Sequence, residues 1–393
     1  MFRNTRPVHK VSLSALTLMV SAVFCTAAPP AQAGKQRPVQ DRRNTVAVEF
    51  LGSTSFPTGY QFRGTEVGGL SGIAYNAETK SYVALSDDRS QINPARFYTL
   101  TINLDDGQLD DGDIAITDVT TLRDLHGKPF AEGSIDPEGI ALTARGKLLI
   151  ASEGDANLSI PPFVGEFSRN GLQHKSFTVP ERYLPAPDYG IRNNLAFESL
   201  TLRPDQRVFY TALENGLHQD GPAADVEQGS LARILKYDLS KAAPVAEMVY
   251  EVEEVPEAPE PAGAFRTNGL VELLAMDNNG TLLALERAFS VGKGNTVKLY
   301  EVSTQGALDT SDQEDLFWEE EGIAYEIDPA VQKEELLDFS EVVATVDNLE
   351  GMTLGPKLAD GRQTLLVVSD NNFNQAQETQ FIALALETRT LPS

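Results

Sequence analysis

The sequence is poor in the residues that staple or metallate small exported proteins. Its 393 residues include one cysteine, four histidines and one tryptophan. A lone Cys25 excludes a disulfide framework and a thiolate metal site. Cationic residues are scarce too, with 32 Lys and Arg against 57 Asp and Glu and a formal charge of −25. That excess repels phosphate backbones and anionic lipid, so nucleic-acid binding and membrane docking are excluded as functions. Hydrophobic residues at 41% and charged residues at 23% are globular values, so the chain is long enough to bury a core without covalent staples.

The N-terminus reads as a secretory leader. Arg3, Arg6 and Lys10 precede an apolar stretch from Val11 to Ala28, and Ala31, Gln32 and Ala33 form a small-x-small cleavage site. An uncleaved anchor is the alternative, but the polar Gly34 to Arg37 that follows favours cleavage after Ala33. Cleavage removes three basic residues, no acidic ones and Cys25, which takes the charge from −25 to −28. The expected organisation is a signal peptide over 1–33, an N-terminal segment with a closing strand over 34–58, and one domain over 59–393 in a periplasmic or secreted, monomeric protein with no stable membrane insertion.

One pattern recurs five times: a short apolar strand, a turn rich in Gly, Asn, Asp or Pro, and a second, more continuously apolar strand. The strand pairs are Leu70–Tyr75 with Tyr82–Arg89, Pro137–Leu142 with Leu148–Asp155, Phe197–Leu202 with Val208–Asn215, Val271–Met276 with Leu282–Arg287, and Leu349–Leu354 with Leu365–Asn372. Outer strands follow most hairpins. The fold class is therefore all-β, a β-propeller of five visible four-stranded repeats. A sixth blade could hide in Pro180 to Asn194 or Gly306 to Gln332, and a stacked two-domain β protein is the structural alternative. The last repeat lacks a fourth strand, and Thr45 to Leu51 lacks a repeat, so this N-terminal strand is expected to complete the last blade and close the ring. A helix is expected around Asp328 to Leu337.

In an antiparallel hairpin the start of the first strand and the end of the second lie at one edge, which in the innermost hairpin of a blade surrounds the channel mouth. The residues aligned there are Ser71 with Asp87, Glu138 with Glu153, Glu198 with Glu214, Glu272 with Glu286, and Glu350 with Asp370. All but Ser71 are acidic. Such carboxylates repel one another unless a cation compensates, and a set of oxygen donors without cysteine suits a divalent metal, Ca²⁺ above all. Asn194, Asn268, Asn348 and Asp136, just upstream, would add oxygens. The competing role for each acid is to accept backbone hydrogen bonds and lock blade to blade. Arg89, Arg287, Arg192 and Arg266 flank the acids and could hold an anionic substrate group or simply neutralise the rim.

Other motifs carry less. Gly69-Leu-Ser-Gly72 is followed by Ile73 where a nucleophile elbow has a glycine at its fifth position, and His126, His174 and His218 fall in expected loops or outer strands, so a serine triad is not supported. The five aspartates in Asp105–Asp113 do not follow the order of an EF-hand loop.

From about Gly59 to Leu386 the chain resembles the phytase-like domain of bacterial exported proteins described by "esterase-like activity of phytase". The stretches that carry the resemblance are Gly69-Leu-Ser-Gly-Ile73, Leu85-Ser-Asp-Asp-Arg89, Asp136-Pro-Glu-Gly-Ile140, Phe197-Glu-Ser-Leu200, Leu285-Glu-Arg287, Asn348-Leu-Glu-Gly351 and Ser369-Asp-Asn-Asn-Phe-Asn374. The resemblance implies a β-propeller with hydrolytic activity on an ester or phosphoester. The lysine-rich phosphate-binding character of calcium-dependent β-propeller phytases is not found here. The expected function is a metal-dependent ester or phosphoester hydrolase acting on a small molecule, with Glu138, Glu350, Arg89 and Arg287 catalytic and Arg192 and Arg266 substrate-binding. The expected ligands are Glu138, Glu198 and Glu350, then Asp87, Glu153, Glu214, Glu286 and Asp370. The alternative is a non-catalytic propeller that binds a ligand or partner and uses calcium only for stability.

Overall fold

The computed structural model describes residues 5–7, 44–320, 323–327 and 331–390. Most of the expected leader lies outside these residues.

Five four-stranded antiparallel sheets follow one another along the chain. The first blade comprises Leu70–Asn76, Ser81–Ser86, Arg96–Ile102 and Ile114–Thr121, and the second Pro137–Leu142, Leu148–Ser152, Phe163–Phe167 and Gln173–Phe177. The third comprises Phe197–Leu202, Val208–Leu213, Ser230–Asp238 and Pro244–Val252, and the fourth Arg266–Ala275, Thr281–Ser290, Gly294–Ser303 and Gln332–Asp338. The fifth takes Leu349–Lys357, Gln363–Ser369 and Glu378–Thr390, and its outermost strand is Asn44–Pro57 from the other end of the chain. The closing strand thus stands where the unmatched Thr45 to Leu51 predicts it, though it is longer than expected.

Why these residues form these strands follows from their burial. The second strand of each blade is covered on both faces, as in Leu148–Ser152, every residue of which is buried. Outer strands can face solvent, as in Gln173–Phe177, buried only at its two ends, though Pro244–Val252 of the third blade is largely buried. Asn76 and Asp277 close two of the inner turns by accepting backbone N–H groups two and three residues ahead.

The core is divided among the blade interfaces. Tyr82 and Tyr98 of the first blade meet Val368 and Phe381 of the fifth. Leu85 and Phe97 meet Ile140 and Leu148 of the second, and Leu149 and Val164 meet Phe197 and Phe209 of the third. Tyr210 and Ile234 meet Leu270 and Leu282 of the fourth, and Leu283 and Leu299 meet Leu365 and Ile382 of the fifth. These contacts return to the first blade after five steps, so the ring is closed.

Two expectations are corrected. Gln332–Asp338 is the edge strand of the fourth blade, not a helix; the segment pairs along Gly294–Ser303 and exposes most of its outer side. The stretches considered for a sixth blade hold a short 3-10 turn at Glu181–Tyr183 and a two-stranded ribbon, Phe317–Glu320 with Ile323–Ile327. Thr5–Pro7, within the expected leader, pairs on that ribbon. Among the described residues, no helix is long and apolar enough to cross a membrane.

Candidate active site

Each innermost strand carries a β-bulge. The pairing skips one residue at Ser71, Glu198 and Glu350, and the second blade has an extra residue in the stretch containing Glu138. A bulge bends the strand and re-aims the side chain at the extra position. Here it turns Glu138, Glu198 and Glu350 to the channel mouth, beside Asp87, Glu153, Glu214 and Asp370 at the ends of the neighbouring strands. Asp136 joins them from the residue before its strand. All eight carboxylates except Asp87 are under 8% exposed.

Two arginines enter this cluster. Arg89 lies 2.6 Å from Asp136 and 4.0 Å from Glu153, and donates to Asn194 Oδ1 at 2.7 Å. Arg287 pairs with Glu350 at 2.8 Å and lies 3.6 Å from Glu214. Asn348 donates to both Glu350 (2.9 Å) and Asp370 (3.3 Å), and Ala196 N–H donates to Glu153. Oxygens of Glu153, Glu198 and Glu214 lie within 4.8 Å of one another. Asp87 Oδ1 and Glu214 Oε1 are buried without a hydrogen-bond partner.

Burial and mutual repulsion both disfavour charge here. Burial, then Glu198, Asp136, Asp87 and Glu153, hold the Glu138 carboxyl well above the usual range. Burial followed by Asp370, Asp136 and Glu350 does the same to Asp87. Glu214 is pushed up to about 7, mainly by burial against the pull of Arg287, and Asp370 to about 8 by burial and Glu350. Burial also opposes the charge of Arg287, but Glu350, Glu214 and Glu198 more than offset it and raise its pKa.

All of these carboxylates except Asp136 and Glu153 line a cavity of about 930 Å³ at the channel mouth. A family model described as "Phytase-like: Esterase-like activity of phytase" matches residues 65–373.

This chain belongs to the phytase-like family.

An "Uncharacterized secreted protein" of Arthroderma benhamiae is 26% identical over 136 residues, covering 28% of this chain and 25% of that relative. The phytase-like chain thus aligns with only about a quarter of that protein's length. Among solved structures, an endo-arabinase from Bacteroides thetaiotaomicron superposes with a TM-score of 0.41 at 10% identity, covering 85% of this chain and 96% of that one. A protein of unknown function from Bacteroides caccae superposes with a TM-score of 0.31 at 13% identity, covering 70% of this chain and 62% of that one.

The phytase-like site departs from the sequence alignment in the fourth blade. There Leu270 pairs with Glu286 and the skipped residue is Val271, so the rim positions belong to Val271 and Arg287. A slip of one residue sends a side chain to the opposite face. Glu272 accepts N–H bonds from Leu200 and Leu273 (3.3 and 2.9 Å) and from Met352, which joins the third, fourth and fifth blades. Glu286 instead accepts from Tyr250 Oη at 2.8 Å, Lys333 Nζ at 2.6 Å and Asn268 Nδ2 at 3.1 Å. Both acids therefore leave the cluster, and Asn268 goes with them.

The arginines divide too. Arg192 is spent on the carbonyls of Gly216 and Gly221 and does not line the cavity. Arg266 lines it but is held by both oxygens of Asp225, at 2.6 and 2.7 Å.

Two glycines are part of the site without having carried a signal as such. A Cβ at Gly69 would collide with the Asp87 carboxylate, and one at Gly269 with the Glu214 side chain. Gly69 also has φ +62°, so the Gly69-Leu-Ser-Gly72 stretch serves close packing around an acid. The flanking apolar residues Phe265 and Phe289 also line the cavity, and no repeat position marks them.

Proposed function

We propose that the protein is an exported, metal-dependent hydrolase of ester or phosphoester bonds acting at the channel mouth. The observation that carries this reading is the convergence of eight carboxylates from four blades with only two arginines to balance them.

The residues fit a hard divalent cation. Every candidate donor is an oxygen, three from two adjacent blades lie within 4.8 Å of one another, and Glu214 Oε1, 3.6 Å from Arg287, accepts no hydrogen bond. Glu153, Glu198 and Glu214 would hold the ion, with Asp87, Glu138, Glu350 and Asp370 around them. When bound, Ca²⁺ would supply Lewis-acid polarisation of the ester and a lowered pKa for water.

The chain's own groups have separable tasks. Among the described residues Glu138 makes no ion pair, and burial with the neighbouring acids raises its proton affinity, as suits a group that would take a proton from water. Glu350 is held against Arg287 and Asn348, which orients the Arg287 guanidinium over the cluster. Arg287 and Arg89 would donate to the oxygen on which negative charge develops.

Purified protein loaded with Ca²⁺ and assayed on a panel of phosphate and carboxylate esters tests this. Chelator, and Glu138→Gln in a separate sample, should each lower turnover by about 100-fold or more. Unchanged turnover in both would place the reaction elsewhere, and no turnover on any ester, with chelator still lowering the melting temperature, would leave a binding propeller with structural calcium.

A further inference from the structure

We infer that the cavity takes an ester with one apolar group and a single anionic head, and rejects polyphosphorylated substrates; this rests on the hydrolase reading above. The charge of the lining is the first reason. Seven carboxylates and three arginines line the cavity, and among the described residues no lysine does. None of those arginines is free: Arg89 is paired with Asp136, Arg287 with Glu350, and Arg266 with Asp225. With its carboxyls ionised, the lining stays net negative after one divalent cation binds. A substrate with several phosphates would meet more repulsion than the site can offset.

The second reason is an apolar wall on one side of the same cavity. Phe265 precedes the innermost strand of the fourth blade, and Phe289 lies opposite Thr267 on the next strand. Their ring centroids are 6.2 Å apart with the planes at 36°, and Phe265 is 66% exposed. Val346 adds to this lining. An exposed phenylalanine alone is ordinary, but two in contact, opening onto a carboxylate floor, form a shelf on which a flat apolar group can stack. The cavity thus has an apolar wall for one end of a substrate and a charged floor for the other.

Calorimetric binding to the calcium-loaded protein tests the shelf without requiring turnover. Phenylphosphonate, methylphosphonate and inositol hexakisphosphate are compared on the unmodified protein and on Phe265→Ala, whose exposed site does not support the fold. Phenylphosphonate should bind about tenfold or more tighter than methylphosphonate, in line with burial of one ring, and Phe265→Ala should remove most of that advantage. Inositol hexakisphosphate should bind no tighter than methylphosphonate. Equal binding of the phenyl and methyl compounds, an advantage that survives Phe265→Ala, tighter binding of the hexakisphosphate, or binding of none of the three would each overturn the inference. Turnover of an aryl ester is measured separately and reports on the hydrolase reading. Selective binding without turnover removes the reaction and keeps the shelf; turnover without selectivity does the reverse.

Discussion

Glu198 and Glu272 are both buried glutamates on innermost strands, yet their surroundings give them opposite energetic signs. Glu198 faces Glu153, Glu214 and Glu350 and is held above the usual carboxylate range by burial and by those charges. Glu272 is also raised by burial, but backbone N–H groups from three blades surround it. Removing the Glu198 charge relieves repulsion, whereas removing the Glu272 acceptors orphans buried donors. Glu198→Gln should therefore leave the melting temperature of metal-free protein unchanged or raised, while ester turnover falls about 100-fold. Glu272→Ala should lower stability by about 1–3 kcal/mol per orphaned N–H, with turnover per folded molecule unchanged. Thermal melts paired with the ester assay separate the two. A drop in stability for Glu198→Gln would mean that its carboxylate has a partner in the folded protein other than the cluster.

At the scale of elements, the bulge and the closing strand do most of the positioning. The bulge adds one residue at the mouth of a hairpin, so acids of successive strands in one blade can point to the same opening. The fourth blade has the same bulge, but its extra residue is Val271, so the ring gains Arg287 where the other blades place an acid. That exchange supplies a cation beside Glu214 and Glu350. The strand Asn44–Pro57 covers Glu378–Thr390, which would otherwise be a long open edge. A protein starting at Asn44 should fold and retain turnover. One starting at Thr58 should lose cooperative melting or aggregate, as size-exclusion chromatography and circular dichroism would show; a cooperative, monomeric product of that truncation would mean the ring does not depend on its closing strand.

At the scale of the whole molecule, the acidic cluster makes metal-free stability depend on pH. Glu214 and Asp370 have folded pKa values of about 7 and about 8 against ordinary values of 4.5 and 3.8, so the native state binds their protons more tightly. Their contribution to stability is full below the ordinary carboxylate pKa and is lost as pH rises through 7 and 8. In chelator, the melting temperature should fall steadily between about pH 5 and pH 8. Saturating Ca²⁺ should flatten the slope and release protons on binding. A metal-free melting temperature that rises across this window would contradict the placement of these acids. The buried pairs Arg96 with Asp88 and Arg233 with Asp220 tie loops to the first and third blades, and Arg233 also pairs with Glu247 within the third blade.

The amino-acid sequence by itself determined the repeat, the five blades' inner hairpins, the closing strand and the acids of four blades. Apolar periodicity and turn residues are local signals, and the aligned acids recur with them. What only the tertiary structure decided was register. Glu272 and Glu286 look equivalent to Glu138 and Glu153 in the chain, but pairing Leu270 with Glu286 shifts both by one residue and turns them away. Backbone hydrogen bonding fixes that shift, and composition does not record it. The edge strand Gln332–Asp338 was hidden for a related reason, since a solvated strand needs little apolar pattern once a neighbour supplies its hydrogen bonds. The spent arginines, the glycines that make room for Asp87 and Glu214, and the Phe265 shelf depend on side-chain contacts that no periodicity records, some within one blade, as Gly69 with Asp87 and Phe265 with Phe289, and some between neighbouring blades, as Gly269 with Glu214.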